Sequence, residues 1–212
     1  MARKTWSMDT DDGTHSAGHR IDLDAWKNYE NFSVGARWRQ DSDNDKYLLR
    51  TKYSYGMFSG WVDAGYQSIN GSDANDRWYS EGMPVIVTVG PVSLGYYYEW
   101  DKAINADTTE TYEGTLTHQV RAWAPLYTGE KLSLGAEYRY QFAQDQDYKV
   151  EQEWQEQTRH IAILNASYAL TDNLSVDGYY RYDFNKYEVH NGKEDKKDKY
   201  YGEFCVGWNY TF

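Results

Sequence analysis

The chain has one cysteine, Cys205, in 212 residues, which excludes an internal disulfide framework. It has no run of 18 apolar residues, so transmembrane helices are excluded as well. Positive charge is scarce: 22 Lys and Arg stand against 33 Asp and Glu, and the net charge of −11 disfavours a nucleic-acid partner. The opening Met1-Ala2-Arg3-Lys4 lacks an apolar signal core. An exported protein needs one, so the expectation is a mature chain carrying an added start methionine. No linker or break in composition divides the sequence, and residues 1–212 read as one domain. No cofactor and no metal site is implied.

What is present is aromatic. Tyr, Trp and Phe make up 17% of the chain, with 22 Tyr and 9 Trp. Disordered acidic chains are poor in aromatics, whereas aromatic girdles line both lipid–water interfaces of membrane β-barrels. With helices excluded, only a closed barrel spans a bilayer with its backbone satisfied. The last segment carries the clearest pattern. Phe204, Val206, Trp208, Tyr210 and Phe212 alternate with Glu203, Cys205, Gly207, Asn209 and Thr211. This period of two, with a greasy face ending in aromatics, is a strand. It resembles the terminal strand of Gram-negative outer-membrane β-barrels, which typically ends in Phe, and Phe212, Tyr210 and Trp208 form its membrane-insertion signature.

The same alternation recurs along the chain. Phe32, Val34, Ala36 and Trp38 form one outward face; Leu49, Thr51, Tyr53 and Tyr55 form the next. Val62 to Tyr66, Val92 to Trp100, Leu132 to Phe142 and Leu174 to Phe184 follow the same rule. Weaker strands are expected at 19–26, 77–89, 115–126 and 159–170, with a short first strand around Trp6 and Met8. Pro84 cannot donate to a ladder and predicts a bulge in its strand. In the 159–170 strand, placing Leu164, Tyr168 and Leu170 outward turns Asn165 and Ser167 inward.

Links alternate in length. Short ones are expected at 27–31, 56–57, 90–91, 129–130 and 171–173, and long ones at 10–18, 41–45, 69–76, 102–111, 145–156 and 190–198. Short periplasmic turns and longer extracellular loops are the rule for such barrels. The expected fold is therefore all-β: a transmembrane antiparallel up-and-down β-barrel of about 12 strands in the bacterial outer membrane.

If the apolar residues face lipid, their neighbours line the lumen. The expected inward cations are Arg20, Arg37, Arg39, Arg50, Lys52, Arg121, Arg139, Arg159 and Arg181. The expected inward anions are Asp22, Asp24, Asp63, Glu99, Glu137, Asp177, Asp183 and Glu203. Trp26, Trp61, Trp123, Tyr97 and Tyr179 are the inward aromatics. Two readings stand side by side. Charged arcs set solute selectivity in pores, and the planar fork of arginine suits carboxylates. Equally, arginines and acids in a narrow lumen pair with one another and fill it.

Length, strand number and the aromatic end resemble the small monomeric oligosaccharide porins of the KdgM, NanC and larger OmpG types. The residues that carry this are 173–184 and the ending Val206, Gly207, Asn209, Tyr210 and Phe212. The resemblance implies a monomeric channel for passive diffusion of small hydrophilic solutes, with acidic oligosaccharides favoured. It also implies wall arginines forming a solute track, at positions comparable to Arg37, Arg39, Arg50, Arg121, Arg139 and Arg181. Outer-membrane lipid, lipopolysaccharide and the barrel-assembly machinery are the partners it implies. The alternatives are a general porin with cation preference and a barrel enzyme of phospholipase or protease type. The enzyme is disfavoured because the His-x-Ser spacing of the phospholipases is absent. The acidic stretch 145–156 is a further expectation, a loop that narrows the mouth at acid pH.

Overall fold

The computed structural model describes residues 1–9, 13–70, 76–104, 112–148, 159–184, 186–190, 193–198 and 201–211. Twelve strands close into one antiparallel barrel. They are β1 (Ala2–Asp9), β2 (Gly13–Asn28), β3 (Phe32–Asp41), β4 (Asn44–Tyr55), β5 (Phe58–Ile69), β6 (Arg77–Val89), β7 (Val92–Ala103), β8 (Tyr112–Thr128), β9 (Leu132–Tyr148), β10 (Arg159–Ala169), β11 (Leu174–Phe184) and β14 (Tyr201–Tyr210). A separate two-stranded sheet, β12 (Lys186–His190) and β13 (Lys193–Asp198), lies between β11 and β14. Each barrel strand pairs with its neighbours in sequence, and β1 closes on β14 with Ala2 opposite Trp208. Among the described residues no helix is long and apolar enough to cross a membrane.

The wall is inverted relative to a water-soluble barrel. Leu23, Leu49, Leu94, Val120, Leu164 and Trp208 are exposed on the outside, while Asp22, Asp63 and Asp183 are among the most deeply buried side chains. Alternation decides which is which. Leu49 is 73% exposed, and its neighbour Leu48 turns inward at 3%. In lipid the exposed face is the solvated one, and the period of two sends every second residue to it. The outer aromatics fall at two heights. One group includes Phe32, Tyr53, Phe58, Tyr127, Tyr168 and Tyr210 near the short turns, and the other Tyr47, Trp78 and Phe184 towards the far ends of their strands.

Two turns show the local rules at work. Gly56-Met57 and Gly90-Pro91 each begin with a glycine at φ 59°, a backbone region that other residues enter only under strain. The bulge expected at Pro84 is present: pairing of β6 slips between Gly82 and Val85 against β7, and between Ser59 and Trp61 against β5. Gly35 faces the lumen opposite Trp26, and a Cβ there would lie 2.7 Å from the indole, so the missing side chain makes room for the ring.

Four link expectations need correction. β2 starts at Gly13, so most of the expected 10–18 loop is strand, and Ser42-Asp43 alone joins β3 to β4. The 190–198 segment contains β13 and the end of β12 instead of an open loop. The reason is common to them all. Apolar–polar alternation marks a strand only where one face meets lipid, and hydrogen-bonded pairing runs on past the apolar band with polar residues on both faces. β9 runs to Tyr148, so residues 145–148 of the expected 145–156 loop are strand; their side chains and the residues 149–158 lie outside the described ones, and with them the expected acidic gate.

Candidate solute path

The lumen is crossed by a charged network built on β2 to β9. Asp22, 1% exposed, accepts from Arg20 Nε (2.9 and 3.1 Å) and from Arg39 Nε (2.9 Å). Asp24 accepts from Arg37 (2.7 and 2.9 Å) and from Arg50 Nη1 (2.7 Å). Arg50 Nε also bonds both oxygens of Asp63 (3.0 and 2.9 Å). Such shared, forked contacts suit arginine, whose planar head presents several donors at once.

One contact leaves the local wall. Arg39 Nη1 on β3 reaches Glu81 Oε1 on β6 at 3.1 Å, three strands away. Glu81 also accepts from Tyr97 Oη (3.2 Å), and Tyr97 and Tyr79 both donate to Glu99 (2.8 and 2.9 Å). Lys46 Nζ sits 3.5 Å over the Tyr79 ring, and the Arg121 guanidinium 3.4 Å over the Tyr97 ring. Arg121 donates to Gln119 (2.9 Å), which in turn donates to Gln141 (3.1 Å). The lumen is therefore narrowed along the β2–β8 arc by side chains that hold one another.

The opposite arc is less filled. Asp183 accepts from Arg181 (2.7 and 2.9 Å) and Arg159 (2.5 Å), and Arg139 pairs with Glu137 (2.6 Å). Tyr179 donates to Glu203, while Arg77 pairs with Asp101 back on the β2–β8 arc, between β6 and β7. Asp177 is held by Ser167 (2.6 Å) and Ser175 (2.8 Å). Below these pairs, towards the short turns, lies a cavity of about 650 Å³. Arg3, Arg121, Trp123, Glu137, Arg139, Asn165, Ser167, Asp177 and Tyr179 are among its lining residues. Among the described residues neither Arg121 nor Arg3 has a carboxylate within salt-bridge distance, and Arg3 Nε is buried without a hydrogen-bond partner.

The residues named from sequence fall into distinct groups. Arg20, Arg37, Arg39, Arg50, Asp22, Asp24 and Asp63 form the paired wall. Arg159, Arg181 and Asp183 make a second cluster, while Glu99 and Glu203 are held by tyrosines. Arg121, Arg139, Glu137, Asp177, Trp123 and Tyr179 line the cavity. Lys52 and Arg50 lie over the Trp26 ring at 4.5 and 4.7 Å, and Trp61 packs 6.4 Å from Tyr97. Trp208 and Tyr210 are exposed on the outer wall, and Phe212 lies outside the described residues.

Sequence reasoning missed Glu81, Tyr79, Lys46, Arg77, Asp101 and Arg3. The signal for Glu81 and Tyr79 was there. A one-residue bulge reverses the facing of every side chain beyond it. With Val85, Val87 and Val89 outward, the bulge at Pro84 turns Tyr79 and Glu81 inward.

The described residues contain no cluster of three or more metal-ligating side chains. Ser42 Oγ lies 3.4 Å from His19 Nδ1 and accepts the His19 backbone N–H (3.1 Å), and among the described residues no carboxylate orients the ring. A nucleophile needs its base aligned on the hydroxyl and that base held in turn, which this contact does not supply.

No family model and no curated protein matches the sequence. Solved structures do match in fold. KdgM porin in complex with disordered oligogalacturonate is similar over 100% of this chain and 99% of its own, at 12% identity and a TM-score of 0.52. NanC porin is similar over the full length of both chains, at 10% identity and 0.53. The translocator domain of autotransporter NalP from Neisseria meningitidis is similar over 100% of this chain and 86% of its own, at 15% and 0.53. The chain is an all-β barrel of the outer-membrane type.

Proposed function

We propose that the barrel is a passive outer-membrane channel for small hydrophilic solutes, with acidic oligosaccharides its favoured cargo. The observation that carries this reading is the cavity on the β8–β14 arc, where Arg121 and Arg3 lack carboxylate partners while most other lumen arginines are paired. An arginine without a counter-ion favours a carboxylate-bearing solute, and Trp123 beside it offers a flat apolar face to a sugar ring. The likeness in fold to KdgM and NanC porins supports the same reading. Transport needs no cofactor: the solute moves down its gradient, and the arginines offset its charge as water is partly stripped from it. The channel acts as a monomer. Its aromatic last strand is the segment that the barrel-assembly machinery would read.

Asp177 favours a second reading, a general porin with cation preference. It lines the same cavity, and its partners among the described residues are two serines and no base. Single-channel recording of the refolded protein in planar bilayers separates the two. An open conductance with anion preference, blocked by oligogalacturonate, supports the first. Cation preference without block supports the second, and absence of any conductance removes both.

A further inference from the structure

A second cavity, of about 200 Å³, lies in the lumen beyond the first, on the side of the long loops. Arg3 of β1, Arg20 of β2, Asp41 of β3, Asp43 of the β3–β4 turn, Tyr179 of β11 and Glu203 of β14 are among its lining residues. Arg3 and Tyr179 also line the larger cavity, so the two spaces meet there. The strand registers set three of these side chains in one row. Arg3 is directly opposite Arg20, and Arg20 is directly opposite Asp41. Directly opposed residues share a face and lie about 5 Å apart, so Arg3 and Asp41 leave the wall about 10 Å from each other, both towards the lumen.

The two ends of this row carry opposite needs. Two arginines face each other across β1 and β2, which costs stability unless an anion sits between them. Arg20 Nε is taken by Asp22 (2.9 and 3.1 Å), an acid that also serves Arg39. Among the described residues Arg3 has no carboxylate within salt-bridge distance, and its Nε is buried without an acceptor. At the other end Asp41 has no cation within that distance among the described residues. Asn44 lies next to Asp41 across the two-residue turn, on the lumen face with Lys46, and its Oδ1 is buried without a donor. Buried polar atoms are ordinarily paired, and each orphan calls for an explanation. One end of the row is therefore short of acceptors and the other short of donors. Asp43 on the turn adds negative charge to the second end. Glu203 is held by Tyr179 and stands opposite Ser7, four residues along β1 from Arg3.

We infer that this cavity binds a small zwitterion of the amino-acid class, its carboxylate on the Arg3 guanidinium and its ammonium on Asp41. Arginine offers the planar fork that a carboxylate takes, and an ammonium brings the donors that Asp41 lacks. A simple anion would satisfy only the first end, and a simple cation only the second. A volume of about 200 Å³ admits one such molecule and not a chain of sugar rings. The site needs the open lumen of the barrel and is independent of which solute the larger cavity passes.

The test uses the full chain refolded in detergent and titrated at neutral pH with three solutes of similar size. They are L-alanine, L-lactate, which lacks the ammonium, and L-alaninamide, which lacks the carboxylate. Saturation-transfer NMR of the solute reads binding. L-Alanine is expected to bind at least about tenfold more tightly than either analogue. Asp41→Asn should abolish the preference over L-lactate, and Arg3→Gln the preference over L-alaninamide. If the unaltered chain binds either analogue as tightly as L-alanine, or binds none of the three, the proposal is overturned whatever the variants do. A variant that keeps the preference it should lose, with its barrel intact by circular dichroism, overturns it as well. Block by oligogalacturonate in planar bilayers reports the channel reading separately, and its absence with L-alanine binding intact would leave this site standing.

Discussion

Arg121→Gln is the substitution that tests the solute path most directly. The guanidinium lies over the Tyr97 ring and donates to Gln119, so its removal strands no carboxylate. An ion passing at about 5 Å through water feels about 0.8 kcal/mol from one unit charge. Screening at physiological salt, with a Debye length of about 8 Å, leaves roughly 0.4 kcal/mol. Against a thermal energy of about 0.6 kcal/mol, this is about a twofold loss of local anions and an equal gain of cations. The anion-to-cation permeability ratio should therefore fall about fourfold. Reversal potentials in a salt gradient across a planar bilayer measure it, with Lys102→Gln on the outer wall as a variant expected to leave the ratio alone. A ratio unchanged by Arg121→Gln would mean that ions do not pass this side chain and that the cavity is not part of the path.

Other expectations concern stability. Asp22→Asn removes the acceptor shared by Arg20 and Arg39, with Arg37 3.9 Å away, and should destabilise the barrel by about 3–5 kcal/mol in urea unfolding from bilayers; a loss under about 1 kcal/mol would mean that water solvates these arginines freely. Leu49→Arg places a charge on the lipid face about midway along β4 and should cost about 2–4 kcal/mol in the same assay. Asp76, at the start of β6 beyond the band, accepts from the Tyr66 hydroxyl and from the Ile69 N–H (3.1 Å), and the Tyr66 bond above all holds its carboxyl below the ordinary value. Because the folded value is the lower one, this anchor is intact above the ordinary carboxylate range and is lost as pH falls through the depressed value. Amide exchange at Ile69 should stay protected at neutral pH and quicken at strongly acid pH, and protection that ignores pH would rule the anchor out.

Much of the barrel was legible because lipid imposes a simple rule on each strand. The inward position of Arg37, Asp63 or Asp183 follows from apolar neighbours on both sides. The residues that escaped lie where the rule is silent. Lys46 and Leu48 precede the first outward residues recognised in β4, and the inward Leu48 breaks the polar pattern. Arg77 and Asp101 pair near the strand ends, where both faces are polar. Pairing itself was not legible: Arg39 and Glu81 are 42 residues apart, and only closure of the barrel brings β3 and β6 within reach across it. Which arginines lack a counter-ion is a property of that closure, so Arg121 could be named from sequence but not told apart from Arg37.

The seam between β1 and β14 has a kinetic consequence. Every other pairing joins strands close in sequence, but Ala2 meets Trp208 and Asp9 meets Tyr201. Neighbouring hairpins can form early and locally, whereas this last ladder closes nearly the whole chain as a loop. Until it forms, β1 and β14 present open edges that would recruit any other strand. The rate-limiting event of insertion is then expected to be seam closure, and weakening β1 should slow assembly far more than it alters the finished lumen.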